Sequence, residues 1–196
     1  RMASHLIWLG THALDLGAMT VYFYAFRERE KLLDLTEMLS GVRMMPSWIV
    51  PGGSRGDVPE GWAERCKAVL DELPSRFDEY ERLLDQNPIF CERTQGVGII
   101  TAEDCYGLGA TGPTLRACGV PYDIRKTEPY SSFDQFDFAV RVGEHGDVND
   151  RYRVRMAELR QSREIAKQVL ERLPDGPVSV DDLKIVPPPR AELDRS

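Results

Sequence analysis

His12 and Asp15 lie three residues apart inside a run, residues 1–26, that is apolar on nearly every face until charge returns at Arg27-Glu28-Arg29-Glu30. On a helix that spacing makes the imidazole and the carboxyl neighbours. A carboxylate among apolar side chains is costly unless paired or hydrogen-bonded, and it commonly responds by shifting its pKa. The pair therefore suits proton exchange in a dry cavity. The same spacing equally serves a His–Asp hydrogen bond that satisfies two polar groups in a core.

Other residues invite weaker readings. Arg43, followed by Met44 and Met45, could lie against a cofactor or a partner, or be an ordinary loop arginine over an apolar patch. The Gly-rich stretch from Leu108 to Gly119 lacks both the G-x-G-x-x-G and the Walker pattern, so it reads as a tight loop between packed elements. Arg116, Asp123, Arg125 and Lys126 could bind an anion or pair among themselves at a subunit face. Cys66, Cys91, Cys105 and Cys118 show no C-x-x-C spacing and no His at a ligand interval. They read as reduced thiols, neither a disulfide framework nor a metal site. The charge run from Arg27 to Lys31 reads as a solvated helix face, and no local hydrolase signature is present.

The elements that must position these groups are mainly helical. The apolar run reads as one buried helix, with a second helix over 27 to about 39 stopped by Gly41. Residues 42–59, rich in Pro and Gly, form a loop. From 59 to 86 the apolar positions recur in threes and fours, giving an amphipathic helix bent at Pro74. Residues 96–146 are irregular, with a short helix at 102–107 and a strand-like alternation over 136–142. Asp147 or Asn149 caps a long helix reaching about Leu173, and a short strand follows near 177–180. The expected class is mainly α (α+β): a long-helix core with small β elements.

At 196 residues, with a net charge of −7 and a pI near 5.1, the chain fits one domain and lacks the basic face of a nucleic-acid binder. The apolar run is long enough for a bilayer, but His5, His12 and Asp15 inside it, and Gly10 and Gly17, which break it, favour a helix buried in protein. The sequence opens inside a helical pattern and stops soon after Pro187-Pro188-Pro189, so residues 1–196 read as a single internal piece of a larger protein.

Motifs along the whole chain support a more specific expectation. Ser4-His5-Leu6, Thr11-His12-Ala13-Leu14-Asp15-Leu16-Gly17-Ala18-Met19-Thr20, Phe26-Arg27-Glu28-Arg29-Glu30, Pro51-Gly52-Gly53, Leu115-Arg116-Ala117-Cys118-Gly119, Tyr122-Asp123-Ile124-Arg125-Lys126, Gly143-Glu144-His145-Gly146-Asp147 and Pro187-Pro188-Pro189-Arg190 follow one another in order. Together they resemble the D-type (49-kDa) subunit family of respiratory complex I, the proton-pumping NADH:quinone oxidoreductase. The resemblance implies a fold like the NiFe-hydrogenase large subunit and a peripheral place on the cytoplasmic side of the cell membrane. It implies a quinone substrate, menaquinone or ubiquinone, reduced beside a terminal 4Fe–4S cluster that another subunit holds, with NADH and FMN on further subunits. The implied partners are the terminal 4Fe–4S subunit, the C-type subunit and the quinone-channel membrane subunit, with no nucleic acid.

The family's proton-exchanging acid falls on Asp15, and His12 is its expected partner. Arg43 and Met45 fall where the family approaches the cluster, but Met45 replaces a His, Trp48 a Tyr and Val50 an Arg. Those changes remove a titratable group and a positive charge, so the resemblance implies a cluster of lower potential and weaker pH dependence. Two other readings compete: the large subunit of an energy-converting NiFe hydrogenase or related dehydrogenase, and a non-catalytic helical scaffold for assembly.

Overall fold

The computed structural model describes residues 1–182 and 185. Pro187-Pro188-Pro189-Arg190 therefore lies outside the described residues. Eight α-helices, one 3-10 turn (Phe133–Gln135) and one two-stranded sheet are present among the described residues: α1 (Met2–Asp15), α2 (Met19–Ser40), β1 (Ile49–Val50), β2 (Gly53–Ser54), α3 (Trp62–Leu84), α4 (Pro88–Thr94), α5 (Ala102–Leu108), α6 (Gly112–Ala117), α7 (Ile124–Thr127) and α8 (Val148–Glu171). The mainly α class with small β elements is the observed one. β1 and β2 pair antiparallel, Ile49 opposite Ser54.

The N-terminal apolar run is not one helix. It breaks at residues 16–18, where Gly17 adopts φ +93°. The Ala18 N–H reaches back to the Ala13 carbonyl (2.7 Å) and the Gly17 N–H to Leu14 (3.0 Å). This pair of bonds, with glycine just past the helix end, is a Schellman stop. α1 and α2 thus form a tight helical hairpin, and the charge run lies within α2. Glu28 of that run is fully buried, not solvated. Arg27 Nε at 2.5 Å, Lys31 Nζ at 2.9 Å and Arg76 Nε of α3 at 3.6 Å neutralise it, so the charge is buried because cations converge on it.

α1, α2, α3 and α8 enclose the core. Leu6, Leu9 and Ala13 of α1 meet Leu73, Phe77 and Tyr80 of α3 and Tyr152, Met156 and Leu159 of α8. α8 starts where Asp147 accepts the Asp150 N–H at 2.7 Å, which selects Asp147 over Asn149 as the cap. Ahead of it, Gly146 has φ +68°, and a Cβ there would stand 2.2 Å from the Ile100 carbonyl oxygen. Only glycine fits that approach.

α3 runs unbroken through Pro74, which has no N–H to give the Leu70 carbonyl. Arg163 Nε of α8 donates to that buried oxygen instead, at 2.5 Å. Arg163→Ala is therefore expected to destabilise the chain by about 1–3 kcal/mol, the usual cost of stranding a buried acceptor. In a Pro74→Ala background the restored helix bond should remove most of that cost. Urea denaturation of the four variants of this double-mutant cycle measures the coupling; additive effects would remove the proposed exchange.

Two β expectations need correction. Residues 136–142 form no strand, because α8 supplies the hydrogen-bonding partners a second strand would have given. Gln168 Oε1 accepts the Asp137 N–H (2.9 Å) and its Nε2 donates to the Asp137 carbonyl (2.7 Å); Gln161 Oε1 accepts the Ala139 N–H (2.8 Å). Residues 177–180 make a single bridge, Ser179 to Gly53, rather than a strand.

Candidate functional site

Asp15 is the last residue of α1, and its carboxylate is exposed on the α1–α2 corner. The expectation of a buried acid hydrogen-bonded to His12 is corrected: the Schellman stop ends the helix at Asp15 and turns it outward. His12 is half-buried and stacks on Trp8 with ring centroids 4.5 Å apart. Its Nε2 is buried and finds no hydrogen-bond partner among the described residues. Burial lowers the His12 pKa and the Arg155 charge adds to this, while the Asp15 carboxylate opposes both. The Asp15 charge acts on His12 without a hydrogen bond between them. Around the acid the corner is apolar yet exposed: Met19 is 58% and Phe23 60% accessible, with Leu14 beside them. Arg93 reaches the corner from α4 by donating to the Leu16 carbonyl at 3.2 Å.

Arg43 does not float. Its guanidinium bridges three carboxylates of α2, with Asp34 at 2.6 Å, Glu37 at 3.1 Å and Glu30 also paired. These acids raise its pKa above the ordinary arginine value. The clamp fixes the start of the 42–59 loop and leaves Met45 at its tip, 90% exposed and with φ +54°, a conformation strained for a side chain of this size. Arg43 and Met45 are therefore held well apart in character from the Asp15 corner: one is a pinned cation, the other a bare apolar tip.

The N-terminal end of α1 carries a constellation that sequence reasoning missed in part. Glu158, on the inner face of α8, accepts from His5 Nε2 at 2.7 Å and from Arg116 Nε at 2.6 Å. Arg116 also donates to the Tyr122 carbonyl at 2.8 Å. Asp123 chelates Arg125 at 3.0 and 2.7 Å, and Arg1 approaches both acids at 3.6 and 3.7 Å. Arg116 and Arg125 thus pair rather than offer free charge, though Arg116 pairs with a residue outside the group first singled out. Lys126 lies over the Phe138 ring. A cleft of about 440 Å³ opens over these groups, between His5, Pro113, Tyr122 and Glu158. One signal was available in the sequence: Glu158 interrupts the apolar stripe of α8 between Met156 and Leu159.

Burial lowers the His5 pKa against the opposing pull of Glu158. Burial alone would raise Asp123 and Glu158, but Arg125 brings Asp123 down to about 2, and His5 with Arg116 brings Glu158 below its ordinary value. A depressed histidine means that the unfolded chain takes the proton first, so stability falls as pH drops through 6.5. A depressed carboxylate contributes fully above its unfolded value near 4 and loses that contribution as pH falls toward 2. Acidification should therefore lower the melting temperature in two steps, and Asp123→Asn should flatten the lower one. A melting temperature constant between pH 5 and pH 3 would contradict this.

The Gly-rich stretch is only partly the expected loop: Gly109, left-handed, closes α5, residues 109–111 link it to α6, and residues 112–117 are α6 itself. Among the described residues no group of three or more His, Cys, Asp or Glu side chains is placed to hold a metal ion. No described helix is long and apolar enough to cross a membrane.

The family model described as the respiratory-chain NADH dehydrogenase 49-kDa subunit matches residues 15–196. The chain belongs to this family. It is 52% identical, over its whole length, to a D-type subunit of the NADH-quinone oxidoreductase of a Roseiflexus species, covering 48% of that protein. Over its whole length it is also 52% identical to NADH-quinone oxidoreductase subunit 4 of Thermus thermophilus, again covering 48%. The D-type subunit of the Geotalea uraniireducens enzyme is 48% identical over 98% of the chain, which covers 50% of it. The chain thus spans about half the length of the curated relatives it matches. Asp15, the first residue of that match, lies on the exposed corner, and the buried ionic cluster lies at the opposite end of α1.

Proposed function

We propose that this chain forms part of the quinone-reducing core of a proton-translocating NADH:quinone oxidoreductase. In this reading the α1–α2 corner faces the chamber where the quinone headgroup is reduced beside a 4Fe–4S cluster held by a neighbouring subunit. Asp15 exchanges protons with the reduced headgroup, and His12, uncharged at neutral pH because burial lowers its pKa, is the nearest imidazole to relay them. The observation that carries the reading is a carboxylate exposed among exposed Leu14, Met19 and Phe23. A quinone needs an apolar wall for its ring and tail and an acid at its carbonyl. The names of the relatives support this chemistry over that of a hydrogenase.

The Arg43–Met45 loop tip then turns toward the cluster-bearing subunit. Met45 cannot take up a proton when the cluster is reduced, so the cluster's potential should depend weakly on pH; a steep dependence in a redox titration would count against this. The remaining partners are the C-type subunit and the quinone-channel membrane subunit, with NADH and FMN bound elsewhere, and the assembly sits on the cytoplasmic face of the cell membrane.

Photolabelling of the assembled complex with an azido-quinone tests the placement. Label on the peptide containing residues 14–23, displaced by excess unlabelled quinone, is the expected result. Label confined to other subunits would remove the corner from the chamber.

A further inference from the structure

Cys105 and Cys118 bring their sulfurs to 3.6 Å of each other, across the link between α5 and α6. Cys66 and Cys91 lie on α3 and α4 and have no such neighbour. Cys105 is fully buried, whereas Cys118, at the end of α6, keeps part of its surface in solvent. The Cys118 thiol lies within reach of the Ile100 carbonyl at 3.0 Å and the Thr114 carbonyl at 3.3 Å, contacts that fix its sulfur beside that of Cys105. A disulfide needs its sulfurs about 2.05 Å apart, so an approach of about 1.5 Å closes the gap.

We propose that Cys105 and Cys118 form a peroxide-responsive dithiol, with Cys118 the residue oxidised first and Cys105 the resolving residue. The Cys118 sulfur attacks one oxygen of hydrogen peroxide; an S–O bond forms, the O–O bond breaks, and the departing hydroxide takes the thiol proton as water. The Cys105 sulfur then attacks the Cys118 sulfenic acid; the S–S bond forms, the S–O bond breaks, and the second water carries off the Cys105 proton. Two thiols have lost two electrons and two protons, and one peroxide has become two waters.

The environment sets the rate. Burial, and then the adjacent Cys105 thiol, push the Cys118 thiol up to about 11; Arg151 opposes this and Asp104 adds to it. The thiolate is the reactive form, so the reaction is slow at neutral pH and quickens as pH rises. Such a pair ignores passing oxidant and registers sustained exposure. The bond would tie α5 to α6, whose Arg116, two residues before Cys118, holds Glu158.

The full-length protein in its native assembly is treated with hydrogen peroxide, its remaining thiols are blocked with a maleimide, and it is digested with trypsin without reduction. Cleavage after Arg116 separates the two cysteines. The expected product is a linked peptide pair that reduction splits, formed at least tenfold more than any link to Cys66 or Cys91 and faster at pH 9 than at pH 7. Cys118→Ser should abolish it. Recovery of both cysteines as maleimide adducts, or of Cys118 as sulfinic acid beside a free Cys105, would overturn the proposal.

Discussion

Asp15→Asn should cut quinone reduction by the assembled complex about 10²-fold or more while leaving the subunit folded and assembled. The size follows from the proposed role: a positioned acid or base typically supplies 10²–10⁴ in rate, and an amide cannot exchange the proton. The intact fold follows from the geometry. Asp15 is exposed and has no hydrogen-bond or ion-pair partner among the described residues. It also sits at the C-terminal end of α1, where the helix dipole disfavours a negative charge. Neutralising it should leave the melting temperature unchanged or slightly raised. An acid kept where it works against its own helix points to a duty outside the fold. Full turnover in the Asn variant would instead favour the scaffold reading, in which this hairpin only docks subunits.

The largest effect on stability should come from Glu158→Ala, a loss of about 3–5 kcal/mol. Glu158 is buried, as are the His5 and Arg116 side chains it holds, and removing it strands the Arg116 charge in a low-dielectric site. Glu158→Gln should cost less, since an amide oxygen still accepts from His5 or Arg116, though it no longer balances the guanidinium. Denaturant unfolding compares the three proteins. A loss below about 1 kcal/mol for the Ala variant would mean that solvent enters the cleft and rehydrates Arg116.

The sequence was most legible where one local signal decides the structure. The three-and-four stripe of α3, the Asp147 cap of α8 and the Gly41 stop of α2 are all read within a few residues. Gly17 also marks a break in the run, but apolar residues continue on both sides of it, so its spacing does not show that one helix ends there and another begins. The remaining misreadings concern partners distant in the chain. Residues 136–142 alternate like a strand, yet the groups that satisfy their backbone are Gln161 and Gln168 of a helix. Glu28 looks solvated until Arg76 of α3 is brought beside it. His5 and Glu158 stand 153 positions apart, and no spacing rule connects them. The acid of the candidate site was found because its neighbours adjoin it in sequence; the surface it faces was not, because the hairpin alone turns it outward.

That separation of 153 residues also dictates an order of events during synthesis. The α1–α2 hairpin closes through a three-residue link, a local contact that forms in microseconds once both helices are free. At translation speeds of 5–20 residues per second, Glu158 emerges roughly 8–30 s after His5. For that interval the nascent chain displays a finished corner, acid included, above an uncovered row of Leu6, Leu9 and Ala13 and an imidazole with no counter-charge. The feature that completes the candidate site earliest also makes the growing chain a substrate for chaperones until α8 arrives.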